Sequence, residues 1–197
     1  MSRIRWLPDS LVGKVPVAVA ATGPHVIKVA ARHADRVDFT VGAEPARLEW
    51  AVRTAREAAG GRELSLGAYL NVAVHPDRAA ARDLVRGSTA IFARFATEGA
   101  PPDGLSDVTR AGIEQVAAAY DESRHGQAGA AHAQELEDDF IDRFAVVGTA
   151  AEVIDRLREI ETLGINHVVV VPGSLDADPA AVAKSDERFG AEVLPGL

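Results

Sequence analysis

The chain has 197 residues and a mass of 20.7 kDa, enough to bury one core without disulfides or structural metals. It has no cysteine, which excludes a disulfide framework, a thiolate metal site and a cysteine nucleophile, so any redox chemistry has to be borrowed. A net charge of -8 and a pI near 5.2 have the wrong sign for a general nucleic-acid surface. A mean hydropathy of +0.01, with no run near the ~18 to 20 apolar residues a bilayer helix needs, leaves no membrane span. The opening Met-Ser-Arg-Ile-Arg-Trp lacks the apolar stretch of a secretory signal, so a cytoplasmic location is the expectation.

Val15 to Ala21 is a near-continuous apolar run of strand length that ends at Thr22-Gly23-Pro24, and it reads as a strand buried on both faces. Pro24 sits where a first helical turn tolerates proline, with Val26, Ile27, Ala30 and Ala31 at helical spacing behind it. Residues 36–42 read as a second strand, Pro45 to Ala59 as an amphipathic helix ended by Gly60-Gly61, and Leu64 to Val74 as a third strand. Pro76 and Asp77 open a helix to about Phe95, and Thr97 to Gly104 is a loop by composition. Leu105, Val108, Ile113 and Val116 fall on one face of a further helix, and Ser123 to Ala133 is the most flexible-looking stretch. Leu136 to Phe144 reads as a short helix. Thr149 and Glu152 form a capping box before the stripe Val153, Ile154, Leu157 and Ile160, and His167 to Gly173 is a fourth strand before a last helix at Asp178-Pro179.

Four strands alternating with helices, and no two-residue hairpin signal, predict an α/β fold with a parallel sheet and right-handed crossovers. Four such units are half of a (β/α)8 barrel, which takes ~250 residues. The expectation is a single domain over 1–197: half a TIM barrel with a helical insertion at about 97–143. An open doubly wound sheet fits the same pattern, and the two differ in whether the sheet edges must be covered.

In parallel α/β folds ligands gather at the carboxyl ends of the strands, which directs attention to the turns after each one. Ala20-Ala21-Thr22-Gly23-Pro24 combines small residues with a helix start, so backbone N–H groups and the helix dipole favour an anion there; a plain tight βα turn is the competing reading. The six histidines are scattered without metal-ligand spacing, and no metal site is expected. His75 is a minor candidate at the third strand end, and His125 and His132 lie in the loop-like stretch. Glu135, Glu137, Asp138, Asp139 and Asp142 fall between Leu136, Phe140 and Phe144, which reads as a solvated helix face and not as paired catalytic carboxylates. No self-sufficient catalytic set is present, and no catalytic residue is named.

The order and separation of four segments resemble the C-terminal half of the bacterial luciferase-like family, which includes F420-dependent methylenetetrahydromethanopterin reductase-like enzymes. The segments are residues 15–45, the stretch from Asn71 through Asp83, that from Tyr120 through Ala133, and Phe144 through Gly173. The resemblance implies a barrel binding F420 or FMN at the strand ends, with Ala20, Ala21, Thr22 and Gly23 at the cofactor's phosphate side, Thr40 and Val41 at the next strand end, and Asn71 as a weaker match. It implies an oxidoreductase, or a subunit of one, acting on a small molecule, with the hydride carried by the cofactor. A non-catalytic half-barrel binding module is the alternative. Uncovered strand edges and an uncovered apolar face predict a homodimer or a complementing N-terminal half.

Overall fold

The computed structural model describes residues 15–97 and 104–197. The reading of the opening segment, and of most of the Thr97–Gly104 loop, lies outside those residues. Parallel strands β1 (Ala18–Ala21), β2 (Arg36–Phe39) and β3 (Ser65–Val74) lie side by side in chain order. Helix α1 (Pro24–His33) joins the first pair and α2 (Pro45–Ala59) the second. Proline stands at the start of both helices, where a missing N–H costs nothing, and Gly60 ends α2 in the left-handed conformation.

After β3 the chain builds an arm of α3 (Arg78–Phe95), α4 (Asp107–Ala119), the single turn α5 (Ala131–Gln134) and α6 (Asp138–Phe144). It returns through a short strand, β4 (Val146–Gly148), then α7 (Ala150–Thr162), β5 (His167–Val171) and α8 (Pro179–Arg188). The capping box holds as read: Thr149 N–H donates to Glu152 Oε2, and the Thr149 hydroxyl accepts from the Glu152 backbone.

Backbone direction places the later strands. Leu66 O accepts from Asn166 N, so even-numbered residues of β3 turn their polar groups toward β5, which pairs along Gly67–Asn71. Ser65 N donates to Asp35 O and His75 N to Gly148 O, so odd-numbered residues face the β2 side. Strand β4 therefore lies beside the tip of β3, at Val72–Val74, in the space β2 leaves when it turns away after Phe39. The sheet is a parallel array in the order β1-β2-β3-β5, with β4 as an extra strand at the tip.

Alternation divides the side chains into two layers. Val37, Phe39, Leu66, Leu70 and Val72 face the helices and pack with Ile27, Leu48, Val153 and Leu157. Each such side chain contributes roughly 1.5–3 kcal/mol when fully buried. On the other face, Tyr69, Ala73 and Val171 pack against a second core built by the arm, with Val85, Phe140, Ile141 and Phe144.

Five expectations are corrected here. Strand β1 is buried on one face only: Ala18 and Ala20 are exposed, as are Val17 at 49% and Val15 at 79%. Strand β5 is half-buried along its length. Residues 146–148 form a strand where the sequence reads only the entry to a capped helix, because a three-residue strand carries no periodicity of its own. The acidic face of α6 is not merely solvated: Arg82 donates to both oxygens of Asp142 at 2.8 and 2.6 Å and to Asp138 at 2.8 Å. Arg86 and Arg78 extend this pairing to Asp138 and Glu152. The stretch 123–133 carries a 3₁₀ turn at Glu122–Arg124 and the α5 turn, with Asp176 accepting from the backbone N–H groups of Ala128 and Gly129.

Candidate functional site

The layer opposite the helices carries Ala18 and Ala20 of β1 with Thr22 just past it, Arg36 and Asp38 of β2 with Thr40 just past it, and Gly67, Tyr69 and Asn71 of β3. The β1–β2 register pairs Ala21 with Phe39, which sets Thr22 level with Thr40, and their hydroxyl oxygens lie 2.6 Å apart. Two threonines 18 residues apart thus meet just past the carboxyl ends of adjacent parallel strands. Gly23, the N-cap of α1, has an extended backbone (φ -92°) and would meet nothing within 4 Å of an added Cβ. The N-cap makes no side-chain cap bond, so the first-turn N–H groups of α1 are uncapped by it. A flat approach over Ala20, the Thr22 hydroxyl and this helix start suits an anionic oxygen-rich group.

The turn after β2 is fixed from several sides. Arg47 Nε donates to Val41 O at 2.9 Å, and Arg156 Nη2 donates to Ala43 O at 2.6 Å. Ala43 N donates to Phe144 O at 2.8 Å. Gly42 holds a φ of 79°, and a Cβ there would lie 2.5 Å from the Phe144 ring. The buried Thr109 hydroxyl donates to Glu44 Oε2 at 3.0 Å. Thr40 and Val41 are therefore positioned by α2, α4, α6 and α7 together.

Asn71 faces the same side as Thr22 and Thr40, but it is fully enclosed between Tyr69 and Ala73, both packed against the arm. Neither its Oδ1 nor its Nδ2 has a hydrogen-bond partner. A buried, unpaired carboxamide on a strand interior costs roughly 1–3 kcal/mol per unmade bond and does not serve the sheet.

Of the other sequence candidates, His75 is a helix entrance, its Nδ1 accepting from Asp77 N at 3.0 Å. His125 is exposed and bonded to the Tyr120 hydroxyl at 2.8 Å, and His132 is buried against the Tyr120 ring, centroids 4.2 Å apart. Among the described residues no three metal-binding side chains cluster. Arg47, Arg156, Thr109 and Phe144 were missed as supports of the site. In sequence they are ordinary helix residues, and no spacing ties them to a strand end far away in the chain.

Residues 2–167 match the luciferase-like monooxygenase family. The chain belongs to that family. It is 29% identical over 200 residues to a 5,10-methylenetetrahydromethanopterin reductase of Archaeoglobus fulgidus, covering 94% of this chain and 55% of that protein. The solved coenzyme F420-dependent tetrahydromethanopterin reductase of Methanopyrus kandleri superposes with a TM-score of 0.66 at 25% identity, over 92% of this chain and 50% of that one. The oxygenating constituent of 3,6-diketocamphane monooxygenase from Pseudomonas putida, solved with FMN, shares the fold at a TM-score of 0.54 and 18% identity, over 92% of this chain and 49% of that one. The chain spans about half the length of these luciferase-like relatives. Relatives thus include F420 and FMN proteins, and this chain carries the parallel α/β architecture of the family. Among the described residues no helix is long and apolar enough to cross a membrane.

Proposed function

We propose that this chain forms the phosphate-side half of the cofactor site of a luciferase-like oxidoreductase, binding F420, with FMN as the competing cofactor. The observation that carries the reading is the Thr22–Thr40 hydroxyl pair beside the open Gly23 turn at the carboxyl ends of β1 and β2. The local chemistry fits such a group: space over Gly23 for a phosphate, donors at the α1 start, and an unpaired Asn71 amide on the next strand but one. F420 is preferred because the reductases that this chain resembles at 25–29% identity are F420 or methanopterin enzymes by name.

In this reading Ala20, Ala21, Thr22 and Gly23 hold the phosphate side and Thr40 with Val41 lines the following strand end. Asn71 lies on the same layer but is enclosed beneath the arm, one strand further from this surface. The bound cofactor supplies hydride transfer; the residues of this chain bind and orient it and exclude water from its phosphate side. The exposed layer of β1, Ala18 and Ala20, is covered by further parallel strands, either a complementing N-terminal half or a second copy.

Fluorescence titration with F420, and separately with FMN, tests the reading. Saturation in the micromolar range is expected, with loss of binding in Gly23→Leu. Retention of the fold, checked by circular dichroism, is expected, because nothing lies within 4 Å of the new Cβ and the extended backbone accepts any side chain. Unchanged affinity in Gly23→Leu sinks the reading.

A further inference from the structure

Two arginines are nearly enclosed by the fold, and they are treated very differently. Arg86, at 9% exposure, donates to Leu136 O at 2.7 Å and to Asp138 at 3.0 Å, with Asp83 at 3.5 Å from its Nε. Arg47, at 4% exposure, spends Nε on Val41 O, and its two terminal nitrogens have no hydrogen bond or ion pair among the described residues. Glu44 is the carboxylate that acts on it electrostatically, yet Glu44 lies beyond ion-pair distance and its Oε2 is taken by Thr109. The terminal nitrogens of Arg47 are also absent from the fully enclosed, unpartnered atoms, which belong to Asn71, Thr89 and His132, so they keep a path to solvent. A guanidinium withdrawn from water without a paired anion is costly, since the fork of donors is desolvated and unused.

Position gives this a use. Arg47 stands in the first turn of α2, a 15-residue helix whose N-cap makes no side-chain cap bond, and its side chain folds back to the strand-end turn that leads into that helix. The bond to Val41 O fixes the guanidinium at the turn that follows Thr40. Helix dipole and guanidinium fork therefore act on the same small region at the carboxyl end of β2.

We infer that Arg47 is a second anion subsite, taking a phosphate or carboxylate group of the substrate through its two free terminal nitrogens. Burial lowers its pKa to about 10, with Glu44 opposing that shift, so it stays charged at neutral pH; an arriving oxyanion restores the interactions that burial removed. The substrate class is a small molecule bearing an acid group. This inference does not need the cofactor reading: F420 titration can fail while the anion subsite stands.

The test replaces chloride by inorganic phosphate, and in parallel by acetate, at constant ionic strength and follows thermal unfolding of the intact chain. A saturable rise in Tm is expected in wild type and in Thr22→Val, with apparent affinity about tenfold weaker or worse in Arg47→Gln. A response to phosphate alone marks a phosphate ligand, and a response to acetate marks a carboxylate. No saturable response to either ion, an unchanged response in Arg47→Gln, or a response lost only in Thr22→Val overturns the inference. Should Arg47→Gln fail to fold, the ¹⁵N side-chain resonances of wild-type arginines decide. A guanidinium signal, assigned by its absence in Arg47→Lys, that shifts in step with the melting curve supports the subsite; one that stays still overturns it.

Discussion

The Asp38 carboxylate lies where a Cβ on Gly67 would have to be, across the β2–β3 pairing that sets these two residues side by side. Asp38 is 3% exposed and accepts from Arg36 Nε at 2.9 and 3.1 Å. The glycine is thus the space that holds the buried carboxylate of a half-buried ion pair on the layer opposite the helices. Gly67→Ala is expected to cost about 2–4 kcal/mol, because the methyl displaces the carboxylate from both the sheet and its arginine. Urea unfolding measures this. In Asp38→Ala the same glycine substitution should cost far less, and equal costs in the two backgrounds would reject the assignment.

Gly42 makes the comparable demand on the site itself. Its φ of 79° disfavours any side chain, and the Phe144 ring occupies the Cβ position. Gly42→Ala should lower stability by about 1–3 kcal/mol. It should also weaken F420 binding, because the displaced turn carries Thr40 and Val41. Equal F420 affinity in the folded variant would show that the turn tolerates the shift.

How much of this could be read from the sequence follows from the range of each signal. The β-α order, the prolines opening α1 and α2, the Thr149–Glu152 box and the Thr22 turn are local patterns, and they stand where the sequence puts them. The Thr22–Thr40 contact was within reach, since both residues end apolar runs and parallel strands in register bring such ends level. The supports of that contact were not, because Arg47, Thr109 and Arg156 act through carbonyls and carboxylates that only the folded chain brings near. The one-sided burial of β1 was misread for a related reason. Alanines and valines on both faces look the same whether or not a second layer of chain covers them.

The arginine ladder between α3 and α6 should matter modestly and in a salt-dependent way. Arg82 is 16% exposed at its side chain and is held by Asp138 and Asp142, while Arg78 reaches both Asp142 and Glu152. Arg82→Met keeps the packing stem and removes the fork, and it is expected to cost about 1 kcal/mol at low salt and less at high ionic strength. Guanidinium chloride would hide the effect by screening, so urea melts at two sodium chloride concentrations are the measurement.

Acid should weaken the start of α7 through Glu152. The Thr149 backbone N–H, the Arg78 guanidinium and the Thr149 hydroxyl hold its carboxyl at about 2, below the ordinary 4.5. A carboxyl depressed in the folded state contributes stability that is fully present above the unfolded value and is lost as pH falls from about 4.5 toward 2. Because the side chain is 47% exposed, solvent screening keeps the contribution to about 0.5–1 kcal/mol. Glu152→Gln should flatten that part of the pH–Tm curve, and an identical curve would remove the capping box from the account.

A second pH dependence belongs to the arm. His132 Nδ1 accepts from Asp121 N at 3.2 Å, which fixes the neutral tautomer with its proton on Nε2, and burial lowers its pKa below 6.5. Asp121 and Glu122 oppose that shift, while His125 and Arg124 reinforce it, and the Tyr120 ring covers one face. A histidine buried neutral contributes stability that is whole above the unfolded value of 6.5 and is lost as pH falls through the folded one. Protonation of Nδ1 ends its role as acceptor, so the Asp121 amide is released. Hydrogen exchange corrected for intrinsic rates should show that amide protected above pH 6.5 and progressively less protected as pH falls below it. In His132→Asn, whose side-chain oxygen accepts without titrating, protection should no longer depend on pH. A pH-dependent opening that persists in that variant would assign the switch to another group.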